Sequence, residues 1–144
     1  MQREIKFRAW DEGNKIMHND FQFIKSGETG NDWIVFCSDK MKYSKNLNGK
    51  DVCNVIVFDN PFFRKQLKIM QFTGLHDKNG KEIYEGDIVH DPKCIGKEIV
   101  RFIDCGFELY HPVSRRGLSE QYAHNIAVIG NIYEVKAAGN MIAP

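Results

Sequence analysis

The residues of this chain that can do chemistry are scattered, and their spacing limits what they can do together. His90, Cys94, Cys105 and His111 fall within one short span, and all four are possible zinc ligands. They contain no Cys-x-x-Cys pair, and Cys105 stands in a turn. The spacing therefore favours loop histidines and small buried thiols over a metal centre. His76 with Asp77, or His124 with Cys94, supplies a base and an orienting acid or nucleophile, but no nucleophile elbow fixes either set in place. Asp87, Asp91, Asp104 and Glu108 are carboxylates of the kind used in acid–base or Mg²⁺ chemistry. The three aspartates lie at turns, where this side chain commonly bonds its own backbone. Gly74, Gly80 and Gly86 also belong to turns; none lies between a strand and a helix, where glycines cradle phosphate. These patterns point to a non-enzymatic protein with no catalytic residue, cofactor or metal.

Two kinds of binding surface remain. Arg8 and Trp10 tip the outward face of a first strand, and Lys81, Tyr84 and Glu85 surround a tight turn; together they form a candidate surface for a protein partner or a second copy of the chain. Lys40, Lys42 and Lys45 around Tyr43, with Arg101, Arg115 and Arg116, combine cations and an aromatic in the way nucleic-acid surfaces do.

The elements that must position these residues are mostly strands. The most informative stretch runs from Gln71 to Val89. Asn79-Gly80 predicts a type I′ hairpin turn with positive φ at both residues, and Glu85-Gly86-Asp87 redirects the chain into the buried pair Ile88-Val89. Towards the N-terminus, Ile5, Phe7 and Ala9 alternate with Glu4, Lys6, Arg8 and Trp10, as in a half-buried strand. Trp33 to Cys37 and Val52 to Phe58 read as covered strands. Asp59-Asn60-Pro61 opens a short helix to Gln66, with Asn48-Gly49 as a further turn before it. Later, Ile99 to Ile103 and Phe107 to Tyr110 form a second hairpin, and Ser114 to Gly117 reads as a basic turn. Ser119 caps a helical turn, Ala127 to Tyr133 is a last strand, and Lys136 to Pro144 reads as a frayed tail.

The expected fold is mainly β, a β-rich α+β chain. A β-rich N-terminal domain covers residues 1–70, and a small SH3-like barrel with its tail covers 71–144. At 144 residues, 42% hydrophobic and 27% charged, the chain has the composition of a soluble globular protein, and a formal net charge of +1 rules out global electrostatics as the basis of binding. No apolar run approaches the roughly 20 residues of a membrane helix. Charges at Arg3, Glu4, Lys6 and Arg8 break any signal peptide, so the chain reads as cytoplasmic with no membrane partner. Cys37, Cys53, Cys94 and Cys105 are irregularly spaced and read as reduced thiols.

Three blocks resemble the YopX family of phage and prophage proteins from low-GC Gram-positive bacteria: Ile5-Lys6-Phe7-Arg8-Ala9-Trp10-Asp11, Gln71 to Val89, and Val128-Ile129-Gly130-Asn131-Ile132-Tyr133-Glu134. After Glu134 the match stops. The resemblance implies a β-rich, prophage-encoded protein of the bacterial host's cytoplasm, with no assigned activity and a tendency to form homo-oligomers. A self-assembling accessory protein that presents a surface to a phage or host partner is the resulting expectation, with nucleic-acid binding as its alternative.

Overall fold

Turn chemistry sets the architecture, because the strands it joins are short. The structure, a computed structural model, describes residues 4–19, 21–25, 32–36, 44–45, 51–52, 56–57, 67–94 and 96–138. The expected helix at Pro61, the Asn48-Gly49 turn, Cys37 and Cys53 lie outside them. The chain divides into two compact units, Phe7–Ile69, and Met1–Lys6 with Met70–Pro144.

In the first unit, β1 (Phe7–Asp11) and β2 (Ile16–Asn19) pair antiparallel from Arg8 opposite Asn19 to Asp11 opposite Ile16. Asp11 holds the turn between them. One carboxylate oxygen accepts from the backbone N–H groups of Gly13 and Asn14, at 2.9 and 3.0 Å, and the other accepts from the Asn14 side chain at 2.7 Å. Burial alone would raise the Asp11 carboxyl pKa, but these donors outweigh it and hold the carboxyl below its ordinary range. The alternation expected along the first strand fails. Ile5 is 74% exposed, whereas Arg8, Ala9, Trp10 and Asp11 are all buried. Four successive buried positions mean a strand covered on both faces, so its period of two reports no open face. Antiparallel β3 (Phe21–Lys25), β4 (Asp32–Phe36) and, after the pair β5 (Ser44–Lys45) and β6 (Asp51–Val52), β7 (Ile56–Val57) complete the described strands here, in the orders β3-β4-β7 and β5-β6. β8 (Leu67–His76) then carries the chain into the second unit.

That unit contains the central stretch. β8 pairs with β9 (Glu82–Tyr84), and the residues before β1 belong here as well: the Lys6 carbonyl accepts from the Phe72 N–H at 2.8 Å. β10 (Asp87–His90), β11 (Lys97–Ile103), β12 (Gly106–His111) and β13 (Ser114–Gly117) follow as an antiparallel meander. A single helical turn, α1 (Glu120–Ala123), precedes β14 (Ala127–Asn131), which returns to pair with β10. The strand order β13-β12-β11-β10-β14 curls into a half-barrel, with the strand succession of the SH3-like barrel expected for this half, and the chain as a whole is mainly β. Its core is Ile83, Val89, Val100, Leu109, Ala123 and Ile126, none more than 1% exposed, with Leu75, Phe107, Leu118 and Val128 packed against them. At roughly 1.5–3 kcal/mol per fully buried aliphatic side chain, this cluster is the main source of the unit's stability.

The turns differ from expectation in an informative way. At Asn79-Gly80 only Gly80 has positive φ, and the Gly80 N–H donates to the Asp77 carbonyl at 2.9 Å. The Asp77 N–H also donates to the Lys81 carbonyl at 2.8 Å, so the loop has three residues, a tight turn followed by a left-handed glycine. The Asp77 side chain selects this form. Its Oδ1 accepts from the Asn79 and Lys81 N–H groups at 2.8 and 2.9 Å, while Oδ2 accepts from the Val128 N–H at 2.9 Å, 51 residues away. The type I′ turn is instead at Asp104-Cys105, with φ of 48° and 63°, between the paired residues Ile103 and Gly106. In the Glu85-Gly86 knuckle, Asp87 accepts from the Tyr84 N–H, and Gly86, at φ +83°, donates to Val100 and accepts from Ile132. A Cβ on Gly86 would stand 3.1 Å from the Met70 methyl.

Ser119 caps α1 as expected, its hydroxyl accepting from the Tyr122 N–H. Ser114 to Gly117 is a strand and not a turn, because the reversal is made one step earlier at Pro112-Val113, between paired His111 and Ser114. The last strand ends at Asn131, where α2 (Ile132–Ala137) begins. Asn131 Oδ1 accepts from the Tyr133 and Glu134 N–H groups at 3.0 and 2.9 Å, so the segment read as the start of a frayed tail is helical up to Ala137.

Two outcomes follow. Asp77→Ala leaves three backbone donors without their acceptor, and chemical denaturation should show a loss of about 3 kcal/mol. A loss below about 1 kcal/mol would show the carboxylate to be dispensable. Burial alone would raise the Asp77 pKa, but its backbone donors and Lys81 outweigh that effect and lower it. Its contribution is therefore present above the unfolded carboxyl pKa of about 4 and disappears as pH falls through the folded value, so the variant's acid limb should be shallower than the wild type's. Cys105→Gly removes a side chain from a left-handed position and should stabilise the protein by about 0.5–1 kcal/mol in thermal melts.

Candidate nucleic-acid interface on the half-barrel

The residues expected to form a protein-binding surface are mostly used up internally. Arg8 and Trp10 are 8% and 5% exposed, and Tyr84 is 3% exposed. The Tyr84 hydroxyl donates to Glu82 at 2.7 Å, the Lys6 ammonium donates to the other Glu82 oxygen at 2.6 Å, and the Tyr84 ring packs on Phe72 at 5.3 Å. Burial pushes the Glu82 carboxyl up, but Lys6 and Tyr84 outweigh it, so Glu82 stays charged. Lys81 is exposed and Glu85 half-buried at either end of β9. Arg8 and Trp10 belong to one unit and the other three to the second. Lys40, Lys42 and Tyr43 lie outside the described residues, and Lys45 falls on β5.

The register of the meander separates the three arginines. Residues directly opposite on paired strands share a face. Val100 opposes Leu109 and Leu109 opposes Arg116, so Arg116 belongs to the core side. There it donates to both Glu98 oxygens, at 3.1 and 2.6 Å, and to Asp91 at 3.1 Å, with its guanidinium 4.7 Å from the Tyr122 ring centre. The Glu98 and Asp91 side chains are 4% and 5% exposed, so this bidentate pair replaces water for two buried carboxylates. Glu98 above all, then Asp91, raises the Arg116 pKa despite burial; at Asp91 the Lys93 N–H and Arg116 together overcome burial and lower it. The Cys94 thiol, 3.5 Å from Asp91, is pushed up by burial and by that carboxylate, away from thiolate character.

Arg101 and Arg115 take the opposite face. Arg101 opposes Glu108, with its Nε 3.6 Å from Oε1, and Tyr110 opposes Arg115. The Arg101 guanidinium lies 4.2 Å from the Tyr110 ring centre and that of Arg115 lies 5.5 Å from it. Lys97 has the same strand parity on β11 and is exposed. Three cations, one carboxylate and one aromatic therefore share a face of β11, β12 and β13. Next to it lies an open groove of about 310 Å³, lined by Gly106, Phe107, Glu108, Arg115 and Gly117 among others. Tyr110 and Lys97 join the arginines expected from the sequence; hairpin parity, counted from Asp104-Cys105, is the signal that finds both.

The possible zinc ligands are not brought together. Cys105 is in the turn at one end of the β11–β12 hairpin and His111 closes the other, about 20 Å along a strand at 3.4 Å per residue. Cys94 is turned to Asp91, and His90 Nδ1 lies 3.4 Å from the Gly96 carbonyl. Among the described residues no group of three or more His, Cys, Asp or Glu side chains is placed to hold a metal ion, and no helix is long and apolar enough to cross a membrane.

Two solved structures are similar to this one. Protein EF1440 from Enterococcus faecalis aligns at 26% identity and a TM-score of 0.65, covering 94% of this chain and 97% of that one. Protein YopX from Bacillus subtilis aligns at 19% identity and a TM-score of 0.55, covering 92% and 95% respectively, a likeness of fold. A comparison with curated proteins finds no match. The family model described as YopX protein matches residues 6–136, from the Lys6 that pairs with Glu82 into the last turn of α2, and the chain belongs to the YopX family.

Proposed function

We propose that this chain is a non-enzymatic accessory protein of a phage or prophage, acting in the cytoplasm of the bacterial host and binding nucleic acid through the Arg101–Tyr110–Arg115 face. The observation that carries the reading is the pair of guanidiniums beside one tyrosine on a single sheet face, with Lys97 in line. Tyr110 restrains two long side chains that would otherwise lose rotamer freedom on binding, so less entropy is lost when they meet phosphates. The excess charge is local, which suits a chain of nearly zero net charge. The non-enzymatic part is supported by the titratable groups. Asp11, Asp77, Glu82 and Asp91 have lowered pKa values and the Cys94 thiol a raised one, opposite to the shifts needed by a general acid and a nucleophile.

Self-assembly into a homo-oligomer is the companion reading. Val113, 87% exposed beside β13, and Ile129, 49% exposed on β14, put apolar surface at the two outer strands of the half-barrel sheet. Such an assembly would repeat the basic face and raise affinity for a long ligand through avidity.

Gel shift and fluorescence anisotropy across a salt series test the first reading. Affinity should fall steeply with salt, and Arg101→Ala and Arg115→Ala should each lower the slope of log K against log salt by about 1. No binding at low salt would remove the nucleic-acid reading. Light scattering at micromolar concentration tests the second, and a monomer there would remove self-assembly.

A further inference from the structure

We infer that the groove beside this face is a base pocket for single-stranded nucleic acid, and that Glu108 selects bases carrying an exocyclic amino group there; this rests on the nucleic-acid reading above. Three observations converge. The groove opens at the end of β13, where Gly117 opposes Glu108 and one last backbone bond joins the Leu118 N–H to the Phe107 carbonyl. Its walls include Gly106 and Gly117; a Cβ on Gly117 would meet nothing within 4 Å, and one on Gly106 would meet only the Ile103 carbonyl at 3.9 Å. The volume of about 310 Å³ lies at the small end of ligand pockets, and Phe107 supplies an aromatic wall. The rest of the lining is Ile103 with the charged Asp104, Glu108, Arg115 and Arg116, so a planar ring can lie against Phe107 with its edge towards polar groups.

Of the two carboxylates that line it, Asp104 and Glu108, the one that faces Arg101 is Glu108. Its Oε1 is turned away from solvent, 3.6 Å from Arg101 Nε, while the side chain as a whole is 18% exposed and lines the groove. Arg101 offsets the negative charge that would otherwise repel a phosphodiester strand. The carboxylate still accepts no donor among the described residues, and a carboxylate cannot donate. A base amino group in the groove, such as cytosine N4, can donate to the exposed part of this carboxylate, whereas uracil offers only a carbonyl at that position, which a carboxylate repels. Arg115 lines the same groove and belongs to the cationic face, so a strand can lay its phosphates along Arg115, Arg101 and Lys97 while one base turns inward. In a duplex that edge of the base is already paired, which limits the site to single strands, loops or ends.

Labelled oligo(dC) and oligo(dU) of about 12 nucleotides, within the roughly 4–16 that a small barrel covers, separate the possibilities by anisotropy. The protein should bind oligo(dC) about tenfold more tightly than oligo(dU), in line with one specific base contact. Glu108→Gln can serve either base and should erase the difference while keeping affinity for both. Gly117→Val fills the slot without touching the cations and should also erase it, leaving the salt slope unchanged. Equal binding of the two oligonucleotides with a steep salt slope would overturn the base pocket and leave the cationic face standing. No binding of either would overturn both. A preference for oligo(dC) that survives Glu108→Gln and Gly117→Val would place the selection elsewhere.

Discussion

The half-barrel depends on one carboxylate. Asp77 accepts two N–H groups from its own turn and a third from Val128, so the geometry of a local hairpin and the docking of the last strand are satisfied by the same side chain. The adjacent Lys78 N–H donates to the Ile126 carbonyl at 3.0 Å, giving a second link to the same segment. Together these bonds fasten the start of β14, an outer strand of the five-stranded sheet, to the turn between β8 and β9. Asp87 and Gly86 perform a similar task a few residues later, joining the knuckle to β11 and to the start of α2. The central stretch is therefore less a hairpin in its own right than the piece to which the first and last strands of the half-barrel are fastened.

That fastening leaves the other side of the sheet for binding. The β11–β12–β13 ribbon is set by its two tight reversals, Asp104-Cys105 and Pro112-Val113, and these fix the register. Register then assigns adjacent arginines to opposite work. Arg116 goes inward and neutralises Glu98 and Asp91, where losing it would strand two buried charges, an outcome typically worth several kcal/mol. Arg115 goes outward to Tyr110. A slip of one residue would exchange them, putting the core's counter-ion in water and an unpaired cation among Val100 and Leu109. Stability of the core and the charge of the surface are thus set by the same alignment.

Much of this was legible in the residues. The mainly β class, the hairpin around Asp104 to Gly106, the knuckle at Gly86 and the Ser119 cap follow from local rules that act over a few residues, and local rules can be read from a sequence. The helix after Asn131 was legible too, since Asn131 with Glu134 three positions on marks a helix start, but the apolar run through Tyr133 masked it. The exchange of turn types was not. Asn-Gly is the strongest two-residue turn signal, yet Asp77's reach to Val128 favours a three-residue loop at Asn79-Gly80, while Asp104-Cys105 takes up the left-handed pair.

By itself the sequence determined most of the strands and the family, because composition, turn residues and motif blocks are properties of neighbouring positions. Only the tertiary structure decided which side chains are available. Arg8, Trp10 and Tyr84 have the composition of a recognition surface but are buried, whereas Arg101, Tyr110 and Arg115, 14 positions apart from first to last, meet on one face. The reason is physical: exposure is fixed by what packs over a strand and by which residues its partners place opposite, and both are set by contacts between segments distant in the chain.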